Sequence, residues 1–156
     1  MLDDTRYMQL ALDVCRAGIE KGQSPFGAAV VSPAGEVLSV EHNTCRADHD
    51  PTAHAEVQAI RVACHKTQHR YLEGATVYAT TEPCPMCFTA SHWASIKRIV
   101  YAASIADAAR FGFRQLEIST EQLNTLGRAD MEITPHFMRN ESVALFELWR
   151  DKQAVS

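Results

Sequence analysis

Two stretches, DPTAHAEVQAIR at 50–61 and PCPMC at 83–87, decide the reading of this 156-residue chain. Each reads as the opening of a helix. Asp50 is able to cap free N–H groups and Pro51 tolerates the first helical position, which predicts a helix from about Pro51 to His65. The second stretch predicts a helix over Cys84–Ser95. Together they supply one imidazole, His54, two thiols, Cys84 and Cys87, and one carboxylate, Glu56. Three such ligands hold a zinc ion and leave its fourth position open, whereas a structural zinc site is closed by four protein ligands. Helix N-termini carry about half a positive charge, which favours the thiolate that zinc requires. Cys84 and Cys87, three apart, share a helical face; Glu56, two residues after His54, does not share its face and is expected beside the ion, moving protons, rather than on it.

Working outward, residues 4–21 carry a helical stripe through Tyr7, Leu10, Ala11, Val14, Cys15 and Ile19, ended by Gly22 and Ser24-Pro25. Gly27–Ser32 and Glu36–His42 are β-rich and joined by the turn Pro33-Ala34-Gly35, a hairpin. Ala75–Thr80, Arg98–Ala102 and Met131–Thr134 predict three further strands, and Ser142–Lys152 an amphipathic helix through Val143, Phe146 and Trp149. Residues 104–130 are not assigned, because Gly112 and Gly127 interrupt weak helical patterns. The β-β-α-β-α-β order implies an α/β fold, a mixed sheet with helices on both faces.

With 46% hydrophobic and 22% charged residues, 1–156 reads as a single domain with room for one core. A net charge of −4 argues against a polyanionic partner, so nucleic acid is not expected. No stretch approaches the ~20 apolar residues of a membrane span, and the acidic start MLDDTRYMQL is unlike a signal peptide, which sets a cytoplasmic location as the expectation. Five cysteines, only two of them closely spaced, do not form a disulfide framework. Two other readings of Cys84-x-x-Cys87 stay open on the residues alone: a redox pair, and a closed structural zinc site with Cys45, Cys64 or His65 as fourth ligand. His92 lies one turn beyond Cys87 and is a candidate to approach the pocket.

The paired His-x-Glu and Pro-Cys-x-x-Cys elements, with Pro25-Phe26-Gly27-Ala28 upstream, resemble the cytidine-deaminase-like superfamily and, within it, the purine-deaminase branch. The resemblance implies a three-layer α/β/α cytidine-deaminase-like fold around a five-stranded mixed sheet. It also implies one Zn²⁺ per chain on His54, Cys84 and Cys87, Glu56 as the catalytic proton shuttle, and hydrolytic loss of an exocyclic amine as ammonia. By the same resemblance Asn43, the Ala55 backbone N–H, Phe26 and Trp93 contact the base. A homodimer is implied too, with the C-terminal helix and its Phe146 and Trp149 as a candidate interface.

DPTAHAEVQAIR resembles bacterial guanine deaminases and tRNA adenosine deaminases alike. Phe26, Pro85 and the run from Ala106 to Phe113 resemble the former, so a small purine-like base, guanine or a relative, is the expected substrate. Two features depart from that pattern. Arg114 and Gln115 stand where guanine deaminases carry acids, leaving Glu117 and Glu121 as candidate replacements, and the chain ends Ala154-Val155-Ser156 without a terminal Tyr. A tRNA adenosine deaminase and a non-enzymatic zinc-stabilised interaction domain are the alternatives.

Overall fold

The computed structural model describes residues 1–155. In chain order its elements are α1 (Asp4–Glu20), β1 (Gly27–Val31), β2 (Val37–His42), α2 (Cys45–Asp48), α3 (Ala55–Thr67), β3 (Thr76–Thr81), α4 (Pro85–Trp93), β4 (Arg98–Ala103), α5 (Ile105–Ala109), α6 (Thr120–Leu126), β5 (Glu132–Thr134) and α7 (Arg139–Val155). The five strands form one sheet in the order β2-β1-β3-β4-β5. β1 runs antiparallel to β2 and β3, while β3, β4 and β5 are parallel. This is the expected mixed five-stranded sheet.

Both faces of the central strands are covered, which is why β1 (GAAVV) and β3 (TVYATT) are buried along their whole length rather than at alternate positions. The side-chain period of two sends Ala28 and Val30 to one face and Ala29 and Val31 to the other. On the first face they meet Ala55, Ala59, Ile60 and Ala63 of α3 and Phe88 of α4. On the second they meet Tyr7, Met8, Ala11, Leu12 and Cys15 of α1, with Leu145 of α7 in the same cluster. Gly27 lets α1 lie this close: a Cβ there would strike the Ala11 carbonyl and the Cys15 side chain. The N-terminal turn of α1 is tied to the sheet by Asp4, which accepts from Arg98 through both carboxylate oxygens at 2.8 Å and from the Tyr78 hydroxyl at 2.7 Å.

Two expectations are corrected. The helix predicted from Pro51 begins instead at Ala55, with His54 as its N-cap in extended conformation. Asp50 is occupied in a local turn, its Oδ1 accepting from the Thr52 backbone N–H at 2.8 Å and hydroxyl at 2.7 Å. The shift puts His54 at the helix mouth rather than on its flank. The C-terminal helix is longer than Ser142–Lys152, running Arg139–Val155, and its rings also pack inside the chain. Phe146 is fully buried and stacks on Phe111 at 5.2 Å, and Trp149 packs against Phe113 at 4.7 Å.

The unassigned stretch 104–130 holds two short helices, each opened by a capping box, Ser104 with Asp107 and Ser119 with Gln122. Buried Asp107 also accepts from Arg139 at the start of α7, Nη2 at 2.6 Å and Nε at 2.8 Å. That guanidinium holds the Asp107 carboxyl down at about 2, from an ordinary 3.8. A depressed folded-state value means stabilisation that is present above about 3.8 and lost as pH falls through about 2. Arg139→Ala is therefore expected to be less stable than the wild type at neutral pH, with the difference closing towards pH 2, read by urea denaturation across pH. Phe146→Ala should lower stability by about 3–5 kcal/mol in the same assay, because its site lies within a ring cluster with no room to collapse.

Candidate active site

α3 and α4 both point their N-termini at one place, and each presents a ligand at its cap. His54 caps α3 and Cys84 caps α4, with Pro85 at the first helical position, where its missing N–H costs nothing. Cys87, a turn further, turns back to the same point. His54 Nδ1 lies 3.6 Å from Cys84 Sγ and 3.5 Å from Cys87 Sγ, and the two sulfurs are 3.7 Å apart. These lengths test whether zinc fits. A tetrahedral ion with Zn–S about 2.3 Å and Zn–N about 2.0–2.1 Å sets its ligands about 3.8 Å (S to S) and about 3.6 Å (S to N) apart. The triangle formed by this chain matches those edges. It is also the single cluster of three or more His, Cys, Asp or Glu groups with metal-ligand spacing among the described residues.

The closed structural site is thereby corrected: Cys45, Cys64 and His65 do not join the triad. Nor do the sulfurs form a disulfide, all five cysteines being free. The Cys87 contact holds the Cys84 thiol down to about 4 against the opposing effect of burial, and the same contact raises Cys87. The Cys84 sulfur in turn raises His54.

Glu56 sits at the second helical position of α3 and is 6% exposed. Its Oε2 accepts from Cys87 Sγ at 3.5 Å, beside the triad and outside it, as expected from its spacing to His54. Burial pushes its carboxyl up to about 7. A carboxyl poised there is matched to giving and taking protons near neutral pH.

A cavity of about 200 Å³ opens over these groups, lined by His54, Glu56 and Cys84 together with Phe26, Asn43, Cys45, Thr81, Glu82, Phe113, Arg114 and Gln115. Asn43 is buried, and its Oδ1 accepts the Cys45 N–H at 3.1 Å, which fixes the amide and leaves its Nδ2 only a long 3.5 Å contact to Cys45 Sγ. Phe26 forms an apolar wall, held edge-on by Phe113 at 5.0 Å and by Phe146 at 5.7 Å. Ala55 is buried at the first position of α3, where the helix makes no use of its N–H.

Trp93 does not line this cavity. It is 73% exposed and borders a shallow depression with Arg70, Tyr71 and Ala90. The reason is helical rise: six residues past Cys87, it lies roughly 9 Å further along α4. His92 is exposed beside it, its ring edge-on to Trp93 at 6.0 Å, and does not approach the pocket. Glu121 is occupied by the Tyr101 and Thr120 hydroxyls, and Glu117 borders an outer groove, so neither replaces the missing acid in the cavity.

Several lining residues were not legible as cavity groups, among them Phe113, Cys45, Thr81 and Glu82. Phe113 and Cys45 carry no spacing signal. Glu82 is legible only in three dimensions: its buried carboxylate accepts the backbone N–H of Ile105 and of Thr120, both at 3.0 Å, the first residues of α5 and α6. It anchors both ends of the 104–119 segment that brings Phe113, Arg114 and Gln115 to the cavity.

With this geometry in hand, comparison with known proteins is informative. Residues 1–103 match the model of the cytidine and deoxycytidylate deaminase zinc-binding region. The chain belongs to this deaminase family. It is 37% identical over 149 residues to the guanine deaminase of Bacillus subtilis, a match covering 94% of this chain and 90% of that one. It is 40% identical over 97 residues to the tRNA-specific adenosine deaminase of Aquifex aeolicus, covering 62% of this chain and 64% of that relative, which is less than two thirds of its length. The solved guanine deaminase from Nitrosomonas europaea superposes with a TM-score of 0.86 at 25% identity, over 93% of this chain and 83% of that one. The family's fold, its zinc and its hydrolytic deamination chemistry accord with the triad and with Glu56. No helix among the described residues is long and apolar enough to cross a membrane.

Replacing Cys87 by Ser should leave protein that folds but retains well under one zinc per chain by metal analysis. Chelation of the wild type should lower its melting temperature, since an ion bound only by the folded state stabilises it.

Proposed function

We propose that this chain hydrolyses the exocyclic amine of a small purine-like base, guanine or a close relative, to a carbonyl and ammonia. One observation carries the reading: His54 and Cys84 of the metal triad share the floor of a cavity of about 200 Å³ with buried Glu56. That is smaller than the ~300–1,000 Å³ of a drug-sized site and suits a single flat base. The extended likeness to the Bacillus subtilis guanine deaminase supports the same substrate class.

His54, Cys84 and Cys87 would hold a zinc ion, which would supply an acidified water as nucleophile. The chain's own groups do the rest. Glu56, buried beside Cys87, would carry one proton of the attacking water to the ring nitrogen and then the second, from the newly formed hydroxyl, to the departing amine, which leaves as ammonia. Asn43, its amide oriented by Cys45, donates to the ring, and the Ala55 N–H holds the reacting end. Phe26 packs on the base and excludes water. The chain acts as a single cytoplasmic domain in purine metabolism, as a homodimer.

A second reading, deamination of adenosine in tRNA, is favoured by the likeness to the Aquifex aeolicus relative. Salt-dependent binding of an anticodon stem-loop would decide for it. For the base deaminase, Glu56→Gln should keep its zinc and lose at least about 10²-fold in kcat. Near-normal turnover of guanine or any related base by that variant would sink the mechanism.

A further inference from the structure

Two buried side-chain oxygens have no hydrogen-bond partner among the described residues, Thr81 Oγ1 and Gln115 Oε1, and both belong to residues that line the catalytic cavity. A folded chain rarely leaves such atoms unpaired. Their shared position points to a ligand that completes them. Beside Gln115, Arg114 is exposed and lines the same cavity, and its guanidinium makes no ion pair with any described residue. The two carboxylates of the cavity do not serve it: Glu56 sits against Cys87, and Glu82 is occupied by the N–H groups of Ile105 and Thr120.

We infer that Gln115 and Arg114 select the substrate by reading a lactam edge: Gln115 Oε1 accepts a ring N–H, and Arg114 donates to the adjacent ring carbonyl. The inference deepens the base-deaminase reading and rests on it. The substrate class is then an aminated heterocycle whose ring also carries a neighbouring N–H and C=O.

The chemistry of the two side chains sets the order of donor and acceptor. A guanidinium has five donors and no acceptor, while a carboxamide has one of each kind. A carbonyl oxygen is the group that satisfies Arg114. An amine in its place would turn N–H towards N–H, a mismatch that a site built to pair a polar edge disfavours. An amidine edge, with a ring nitrogen that accepts and an amine that donates, also leaves Gln115 Oε1 without the N–H it faces. Thr81, 2% exposed, adds a hydroxyl that adapts to either kind of partner and therefore does not discriminate. The pair is held by the 104–119 segment, fixed at both ends by Glu82, so its aim is set independently of the metal triad.

The test compares guanine, which has the lactam edge, with 2,6-diaminopurine, which carries an amine there, by the kcat/KM for loss of the 2-amine. The wild type should prefer guanine by at least about 10-fold. Arg114→Ala and Gln115→Met should each bring that ratio towards one, and Gln115→Glu, which keeps an acceptor, should retain more of it. Zinc content and melting temperature equal to the wild type's establish that the variants are folded and loaded. Wild-type turnover with a ratio unchanged in Arg114→Ala and Gln115→Met, or a wild-type preference for 2,6-diaminopurine, overturns the inference and leaves the base-deaminase reading standing. Failure to release ammonia from any aminated ring overturns both.

Discussion

Everything in this molecule answers to three atoms that must lie within about 4 Å of one another although they come from two segments thirty residues apart. Contacts among two thiols and an imidazole are too weak to fold a chain around themselves. The groups meet because two helices begin beyond the same end of the sheet and each offers a ligand at its mouth. The sheet fixes that end: β1 pairs with both β2 and β3, so the distance between the segments that leave β2 and β3 is set by strand pairing. The dry interior that makes the sheet rigid also buries Glu56 and raises its carboxyl to about 7. Scaffold and chemistry share a cause, the exclusion of water from one face of the sheet.

How much of this was legible in the chain beforehand follows from where each signal resides. The strands were readable because burial on both faces leaves apolar runs, and the ligands because metal geometry constrains their spacing. Helical periodicity sets Glu56 off the face of His54, and its carboxylate lies against Cys87 outside the triad. The start of α3 was misread because Asp50-Pro51 has the chemistry of a helix cap, and only the tertiary setting diverts Asp50 into a turn with Thr52. Trp93 was assigned by likeness, and the axial rise of α4 carries it out of reach. The short helices α5 and α6 had their boxes in plain view, Ser104-x-x-Asp107 and Ser119-x-x-Gln122, but five and seven residues are too few to establish a period.

The cavity divides into two halves of different character. Its floor, His54, Cys84 and Glu56 with Asn43, is built from the mouths of helices and the end of β2. Its rim comes from the 104–119 segment, whose Arg114 is exposed and whose Gln115 is half-buried with an unpaired oxygen. The floor carries the reaction that the family has in common.

Glu82 joins the two halves. One carboxylate, at the end of the strand that leads into Cys84, receives the first N–H of two separate helices. The segment between those anchors is tied to the catalytic scaffold at both ends, while Phe111 and Phe113 lodge it against Phe146 and Phe26. Between these fixed points Arg114 is exposed, so a change there alters the wall of the cavity without loosening either anchor. A single buried acid therefore lets the lining vary at that point while the ligands keep their places.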